Sequence, residues 1–230
     1  MKHLLFTLFM LWTFLLSCNK YKCDSNCTEI VLKGLVSDQT SAKGFGNIEV
    51  QAIWTNYNQS LPYPVIGKTK TKSDGSFEMK VRINPSRFLE SALVVKIQCP
   101  QTFATSYNFF TNSSNAELSF GQADQSTLQN IHFRLYPKTT TSIRLIRSQS
   151  DTFGNFFVEY SFGPNEEIRK LAINKFNSNF SADTTINILT GADIINRFET
   201  VKNLVNGQVI VQVDSAKFSK LGSNTFLINY

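Results

Sequence analysis

Lys68-Thr69-Lys70-Thr71-Lys72-Ser73-Asp74-Gly75-Ser76-Phe77-Glu78-Met79-Lys80-Val81 is the stretch that decides the fold class of this chain. Its second half alternates strictly: Phe77, Met79 and Val81 share one face, Glu78 and Lys80 the other. Period two marks a strand with one buried face, because successive side chains of an extended backbone point to opposite sides. Asp74-Gly75 supplies the positive φ that a tight turn requires, so the stretch is expected to form a hairpin whose first arm is residues 68–72.

Outward from this stretch the same signature recurs. Residues 30–36, IVLKGLV, are a short apolar run, residues 48–52, IEVQA, alternate, and 93–97 and 131–135 read as further strands. Asn84-Pro85-Ser86 opens one helical turn that reaches Leu89, since proline is tolerated in a first turn. Tyr136-Pro137-Lys138 with Thr139-Thr140-Thr141 reads as a hinge, because proline ends a central strand and the threonine run is short and polar. Beyond it, residues 142–147, 155–162, 169–175, 184–189, 208–213 and 225–229 are strand candidates at the spacing of a sandwich. Residues 192–202 stay open between strand and helix, because Ile194, Ile195, Phe198 and Val201 also fit a helical stripe. Asn206-Gly207 is a turn before the penultimate strand. The expected fold class is all-β: two tandem antiparallel β-sandwich domains, residues 28–137 and 138–230. At 230 residues the chain suits two domains of this size.

The first eighteen residues, MKHLLFTLFMLWTFLLSC, are of another kind. Lys2 and His3 form a short basic tip, and Leu4 through Leu16 an apolar run as long as a secretory signal uses and too short for a comfortable bilayer span. Leu15-Leu16-Ser17-Cys18 resembles the lipobox of bacterial lipoproteins, in which the cysteine takes a diacylglycerol and becomes the new N-terminus; Leu16 is larger than the residue usual there. The resemblance implies a signal peptide over 1–17, lipidation at Cys18, a polar tether over 18–27 and a membrane as partner. Each buried acyl methylene contributes about 0.8 kcal/mol, enough for two or three chains to hold the protein without a transmembrane helix. Asn19 after the cysteine implies the outer membrane; Lys20 and Asp24, without a paired acidic stretch, leave the choice between cell surface and periplasmic face open.

The segments KGLVSDQTSAKGFGNIEVQAI and GKTKTKSDGSFEMKV resemble the carboxypeptidase regulatory-like, or transthyretin-like, domain. Gly34, Val36 and Asp38 match that family's opening strand, Gly46, Ile48 and Val50 its second, and Thr71, Asp74, Gly75 and Phe77 its turn-bearing element. Ser41-Ala42-Lys43-Gly44-Phe45 replaces the usual Thr-Gly turn. The resemblance covers residues 28 to 137 and implies a spacer or binding sandwich; the whole chain further resembles small lipoproteins that add an immunoglobulin-like domain.

With Cys18 acylated, Cys23, Cys27 and Cys99 leave one pair and one thiol in an oxidising compartment. A Cys27–Cys99 staple joins the start of the first strand to the end of a later one; the local Cys23–Cys27 loop competes. CxxxC without a nearby histidine lacks the four ligands of a zinc site, and no metal or cofactor is expected.

Removing residues 1–17 leaves 22 basic and 17 acidic side chains, a mild excess with no Lys/Arg run, so nucleic acid is not an expected partner. The one histidine beyond the signal, His132, alternates with Ile131 and Phe133 and is expected to point outward; no GxSxG or HExxH surrounds it. Glu166 and Glu167 are neighbours beside Pro164-Asn165 and read as loop charges rather than an acid/base pair. Asp38, Asp74 and Asp183 belong to no calcium loop and read as turn caps. No catalytic residues are therefore assigned.

The aromatic residues carry the functional hint. Trp54, Tyr57 and Tyr63 in WTNYNQSLPYP are expected on a loop, where flat rings stack on sugars or fill a partner's pockets. Phe103, Tyr107, Phe109 and Phe110 in TFATSYNFFTN form a second cluster; the alternative is that these rings cover the sandwich ends or the joint between domains. The expected function is a non-enzymatic, lipid-anchored envelope protein that binds a glycan, a peptide or another envelope protein. The alternatives are a structural or assembly subunit of an envelope or fimbrial complex, and a hydrolase.

Overall fold

The structure is a computed structural model describing residues 23, 26–56, 63–89, 91–106, 108–110, 113–121, 125–146, 153–163, 168–176 and 184–229. The signal segment, Cys18, Tyr57, Tyr107, Glu166, Glu167 and Asp183 lie outside the described residues. In chain order the strands are β1 (Thr28–Asp38), β2 (Glu49–Asn56), β3 (Val65–Lys70), β4 (Ser76–Ile83), β5 (Ser91–Gln98), β6 (Phe103–Ala104) and β7 (Asn115–Phe120). There follow β8 (Ile131–Ile146), β9 (Phe153–Phe162), β10 (Ile168–Phe176), β11 (Thr184–Gly191), β12 (Ile195–Leu204), β13 (Val209–Lys217) and β14 (Asn224–Asn229). The helical turn expected after Asn84 is a 3-10 turn, Pro85–Leu89. The chain is all-β, as its alternation predicts.

Two sandwiches share one strand. In the first, the sheet β4-β1-β8 faces the sheet β3-β2-β5-β7; in the second, β11, β8 and β14 face the sheet β10-β9-β12-β13. β4 shows the reason most plainly: Phe77, Met79, Val81 and Ile83 are buried and the residues between them exposed, as period two requires. The buried side chains form two clusters, one including Leu32, Val50, Trp54 and Leu135, the other beginning at Ala104 and Tyr136. Not every pairing is antiparallel: β1 and β14 both run parallel to β8.

Three local expectations change. Residues 68–81 are not a hairpin, because β3 bonds β2 and β4 bonds β1, so Thr71 to Gly75 carry the chain from one sheet to the other. The Asp-Gly turn is present, with the amide of Gly75 donating to the carbonyl of Lys72, but it serves as an arch. Residues 136–141 are not a hinge: β8 runs through Pro137 without interruption, and Thr141 is buried with its hydroxyl 2.7 Å from that of Thr190. Proline is tolerated there because β1 stops and β11 begins at that point. The amide of Gln39 donates to the carbonyl of Leu135, and the amide of Ala192 to that of Pro137, so the missing N–H falls where the neighbours change. Of residues 192–202, those from Ile195 on resolve as strand, with β12 paired on both sides by β9 and β13 and with Phe198 and Thr200 inside; 192–194 form the bend that leads into it.

The cysteines pair locally. Cys23 and Cys27 are joined, Cα atoms 6.0 Å apart, and Cys99 is a free buried thiol. The alternative Cys27–Cys99 staple fails on distance. Thr28, beside Cys27, pairs with the end of β4, whereas Cys99 follows the end of β5 near Val50, at the opposite end of the sandwich. A disulfide spans Cα atoms at most about 7 Å apart, and β1 alone is several times longer. Burial raises the Cys99 thiol above its ordinary pKa and leaves it 5% exposed. Native protein is therefore expected to resist iodoacetamide at neutral pH, and protein unfolded in guanidinium without reductant to take one label at Cys99, read by mass spectrometry.

Candidate functional site

The seam of the first sandwich beside β8 is its most distinctive surface. Along a strand, backbone N–H and C=O groups face alternate edges. The carbonyl of Leu135 is bonded by Gln39 on the β1 side, so Ile131, Phe133 and Leu135 serve that edge, while His132 and Arg134 present theirs to the other. On that other edge β6 pairs antiparallel with Tyr136 and Pro137, and the amide of Lys138 donates to Thr102. There the pairing stops. Among the described residues no strand bonds β8 at His132 or Arg134.

Asn108 turns the chain away. Its buried side chain accepts from the Thr105 amide at 2.7 Å and the Thr105 hydroxyl at 3.0 Å, and donates to the carbonyls of Asn115 at 2.8 Å and Ser113 at 3.3 Å. These bonds fold residues 105–108 into a local turn held to the 113–115 segment, and β6 ends after two residues. Asn108→Ala removes the two buried bonds to Thr105 and the two to the carbonyls of Ser113 and Asn115, and is expected to cost about 2 kcal/mol. Thermal unfolding checks this, with a fall in Tm of roughly 4–8 °C.

The edge left open lies in a groove of about 600 Å³. Thr105 and Ser106 close one end, Glu117 and Leu118 of β7 form one wall, and His132, Phe133 and Arg134 form the other. A shallower hollow of about 460 Å³ continues past Asn130 and His132 towards Lys33, Lys72 and Glu78. The acids here are matched: Glu117 meets Lys96 at 3.2 Å and Glu78 meets Lys33 at 3.5 Å. Arg134 has no such partner among the described residues. His132 is exposed as expected, with Nε2 2.8 Å from the hydroxyl of buried Ser37. Partial burial, then the charge of Arg134, hold its imidazole below the ordinary pKa, so it is neutral at pH 7.

Ser37 and His132 are without the third member of a triad among the described residues: no carboxylate bonds the imidazole, and the serine is 5% exposed. No group of three or more His, Cys, Asp or Glu that could hold a metal occurs among the described residues. Asp38 accepts from the Thr40 amide and from the hydroxyls of Thr40 and Ser41, and Asp74 from the amide and hydroxyl of Ser76. Burial opposes ionisation of Asp38, but these bonds outweigh it and lower its pKa; the Ser76 bonds do the same for Asp74. Both aspartates cap turns.

Of the three rings expected on a loop, Trp54 is withdrawn into the core, and Tyr57 lies outside the described residues. Trp54 is in β2, not in a loop; it is 4% exposed and packs edge-on against Phe88 with centroids 5.0 Å apart. Extending the strand to Asn56 turns this ring inward, where it cannot stack on a ligand. Tyr63 is half-buried. The second cluster lies across the joint between the sandwiches: Phe103 packs on Phe45 in the first core, while Phe109 and Phe110 pack on Phe162 and Tyr160 in the second. Sequence reasoning missed the β8 edge, since nothing local in residues 131–135 says which neighbour a strand lacks.

No family model matches the chain, and no curated relative does. Among solved structures it is similar to the shaft pilin SpaA of Lactobacillus rhamnosus GG, at 11% identity and a TM-score of 0.31, over 88% of this chain and 97% of that one. It is also similar to the tip fimbrial protein Mfa3 of Porphyromonas gingivalis, at 7% identity and a TM-score of 0.29 over 81% of each chain. A putative adhesin of Bacteroides ovatus has 6% identity and a TM-score of 0.28, over 82% of this chain and 83% of that one. Likeness at these scores carries no argument about function.

Proposed function

We propose that this chain is a non-enzymatic protein of the bacterial cell envelope, tethered by a lipid on Cys18, most consistent with the outer membrane, that works as an interaction module. The observation that carries the reading is the open β8 edge at His132 and Arg134, lying in a groove with an unmatched cation and no catalytic constellation among the described residues. The Ser17-Cys18 pair after an apolar run supports the anchor. Two experiments test it. Mass spectrometry of the N-terminus with and without globomycin is expected to find a diacylglyceryl Cys18, and an unmodified cysteine removes the anchor. Screening the full mature chain against peptide and glycan arrays is expected to yield a ligand that competes at the groove; retention of neither class removes the interaction role.

One observation favours the assembly reading instead. β13 is an edge strand on which Val209, Val211 and Val213 are 57%, 54% and 47% exposed along one face. Unpaired edges with apolar faces are places where chains associate. If a second copy covers this face, sedimentation will show a concentration-dependent dimer that Val211→Lys abolishes; a monomer at all concentrations rejects it.

A further inference from the structure

We propose that the groove takes an extended peptide of a partner protein as an added strand on the β8 edge, with a carboxylate side chain set opposite Arg134. The proposal rests on the interaction reading above and names its ligand. Backbone geometry supplies the first support. His132 and Arg134 turn their N–H and C=O groups to an edge no described strand occupies, and β6, which starts along that edge, is led off by Asn108. An extended segment placed there continues the line of β6 from Ala104 and finds main-chain partners ready to bond. Residues 131–135 span about 13 Å at ~3.3 Å per residue, so the slot suits about five residues.

Charge sets one face of that peptide. Neighbouring strands put directly opposed side chains about 5 Å apart, within reach of an ion pair. Arg134 is exposed and without a described carboxylate, while the acids on the walls, Glu117 and Glu78, are already held by lysines. An acidic residue opposite Arg134 completes the pair, and a lysine there would add like charge. His132 offers the next outward position a hydrogen-bonding ring. The other face is apolar, because inward residues of the added strand would meet Leu118 and Phe133. A strand alternating apolar and acidic residues satisfies both. Sugar recognition is less suited to these walls, since the ring expected to serve as a platform, Trp54, is in the core.

The test uses the full mature chain in detergent and fluorescence anisotropy with the peptide Ser-Val-Glu-Val-Glu-Val-Ser. Its lysine counterpart, Ser-Val-Lys-Val-Lys-Val-Ser, is expected to bind at least tenfold more weakly, and Arg134→Glu to reverse that order. Because Arg134 is exposed, the variant should fold, and circular dichroism checks it. Methylating the peptide nitrogens that face β8 should remove binding, whereas methylating the alternate nitrogens should leave it within about threefold. Equal binding of both peptides, or indifference to methylation, overturns the added strand. Capture of a uronic-acid oligosaccharide with no peptide binding overturns the peptide ligand but leaves an interaction role standing; failure of both classes overturns both.

Discussion

Gly44→Ala is expected to cost about 3 kcal/mol or more, lowering Tm by at least roughly 6–12 °C in a chain of this size. Three passages of chain meet at this glycine. The amide of Val36 in β1 donates to the carbonyl of Gly75, and the amide of Phe45 donates back to the carbonyl of Val36. A Cβ on Gly44 would lie 1.8 Å from the carbonyl oxygen of Asp74 and 2.6 Å from the nitrogen of Gly75. Both are backbone atoms, so no side chain can rotate away; the arch between β3 and β4 must separate from β1. Gly75 is equally constrained, with φ of 82° and a Cβ position 2.3 Å from the carbonyl of Val36. Gly121→Ala is the control, since nothing lies within 4 Å of its Cβ, and it should stay within about 0.5 kcal/mol of the parent. A Gly44→Ala protein that melts with the parent would show that the arch is not held as described.

Phe198→Ala has the largest effect expected in the second sandwich, about 3–5 kcal/mol, because it removes a buried ring and leaves a cavity among other rings. Phe198 stacks on Phe226 of β14 at 4.5 Å, lies 5.9 Å from Tyr160 of β9, and meets Phe218 edge-on at 6.0 Å. It therefore ties the outer sheet β10-β9-β12-β13 to β14, whose only described ladder is with β8. The same region holds the hydroxyl of Tyr160, which donates to the carbonyl of Leu189 at 2.5 Å and whose pKa burial raises. Since β8 contributes to both cores, the loss should appear as one shifted transition in calorimetry. Two separated transitions would mean that the sandwiches unfold independently despite the shared strand. A change below 1 kcal/mol would contradict the packing itself.

Much of the strand content was legible because alternation is local. β1, β2, β4, β5, β9, β11 and β14 all coincide with runs whose pattern marks them, and Asn206-Gly207 does form the turn between β12 and β13, with Gly207 at a φ of 84°. β6 and β7 were not legible: two residues carry no period, and β7, NAELSF, has a single buried residue. Residues 192–202 were ambiguous for a related reason, since Ile194, Ile195, Phe198 and Val201 satisfy two periods, and pairing with β9 and β13 settled which one operates. For the site, the outward position of His132 could be read from its neighbours. The role of Asn108, and the β8 edge at Arg134 that no described strand bonds, could not.

By itself the sequence determined that this is an all-β chain, since side-chain alternation is a property of contiguous residues. Only the tertiary structure decided that residues 68–81 arch between sheets, that Pro137 lies inside a strand, that Cys23 rather than Cys99 pairs with Cys27, and that Trp54 is core. The physical reason is common to all four. Alternation reports which face of a strand is buried, but which edge is bonded, and by what, depends on backbone groups brought together from distant parts of the chain, and at His132 and Arg134 no described strand completes that pairing.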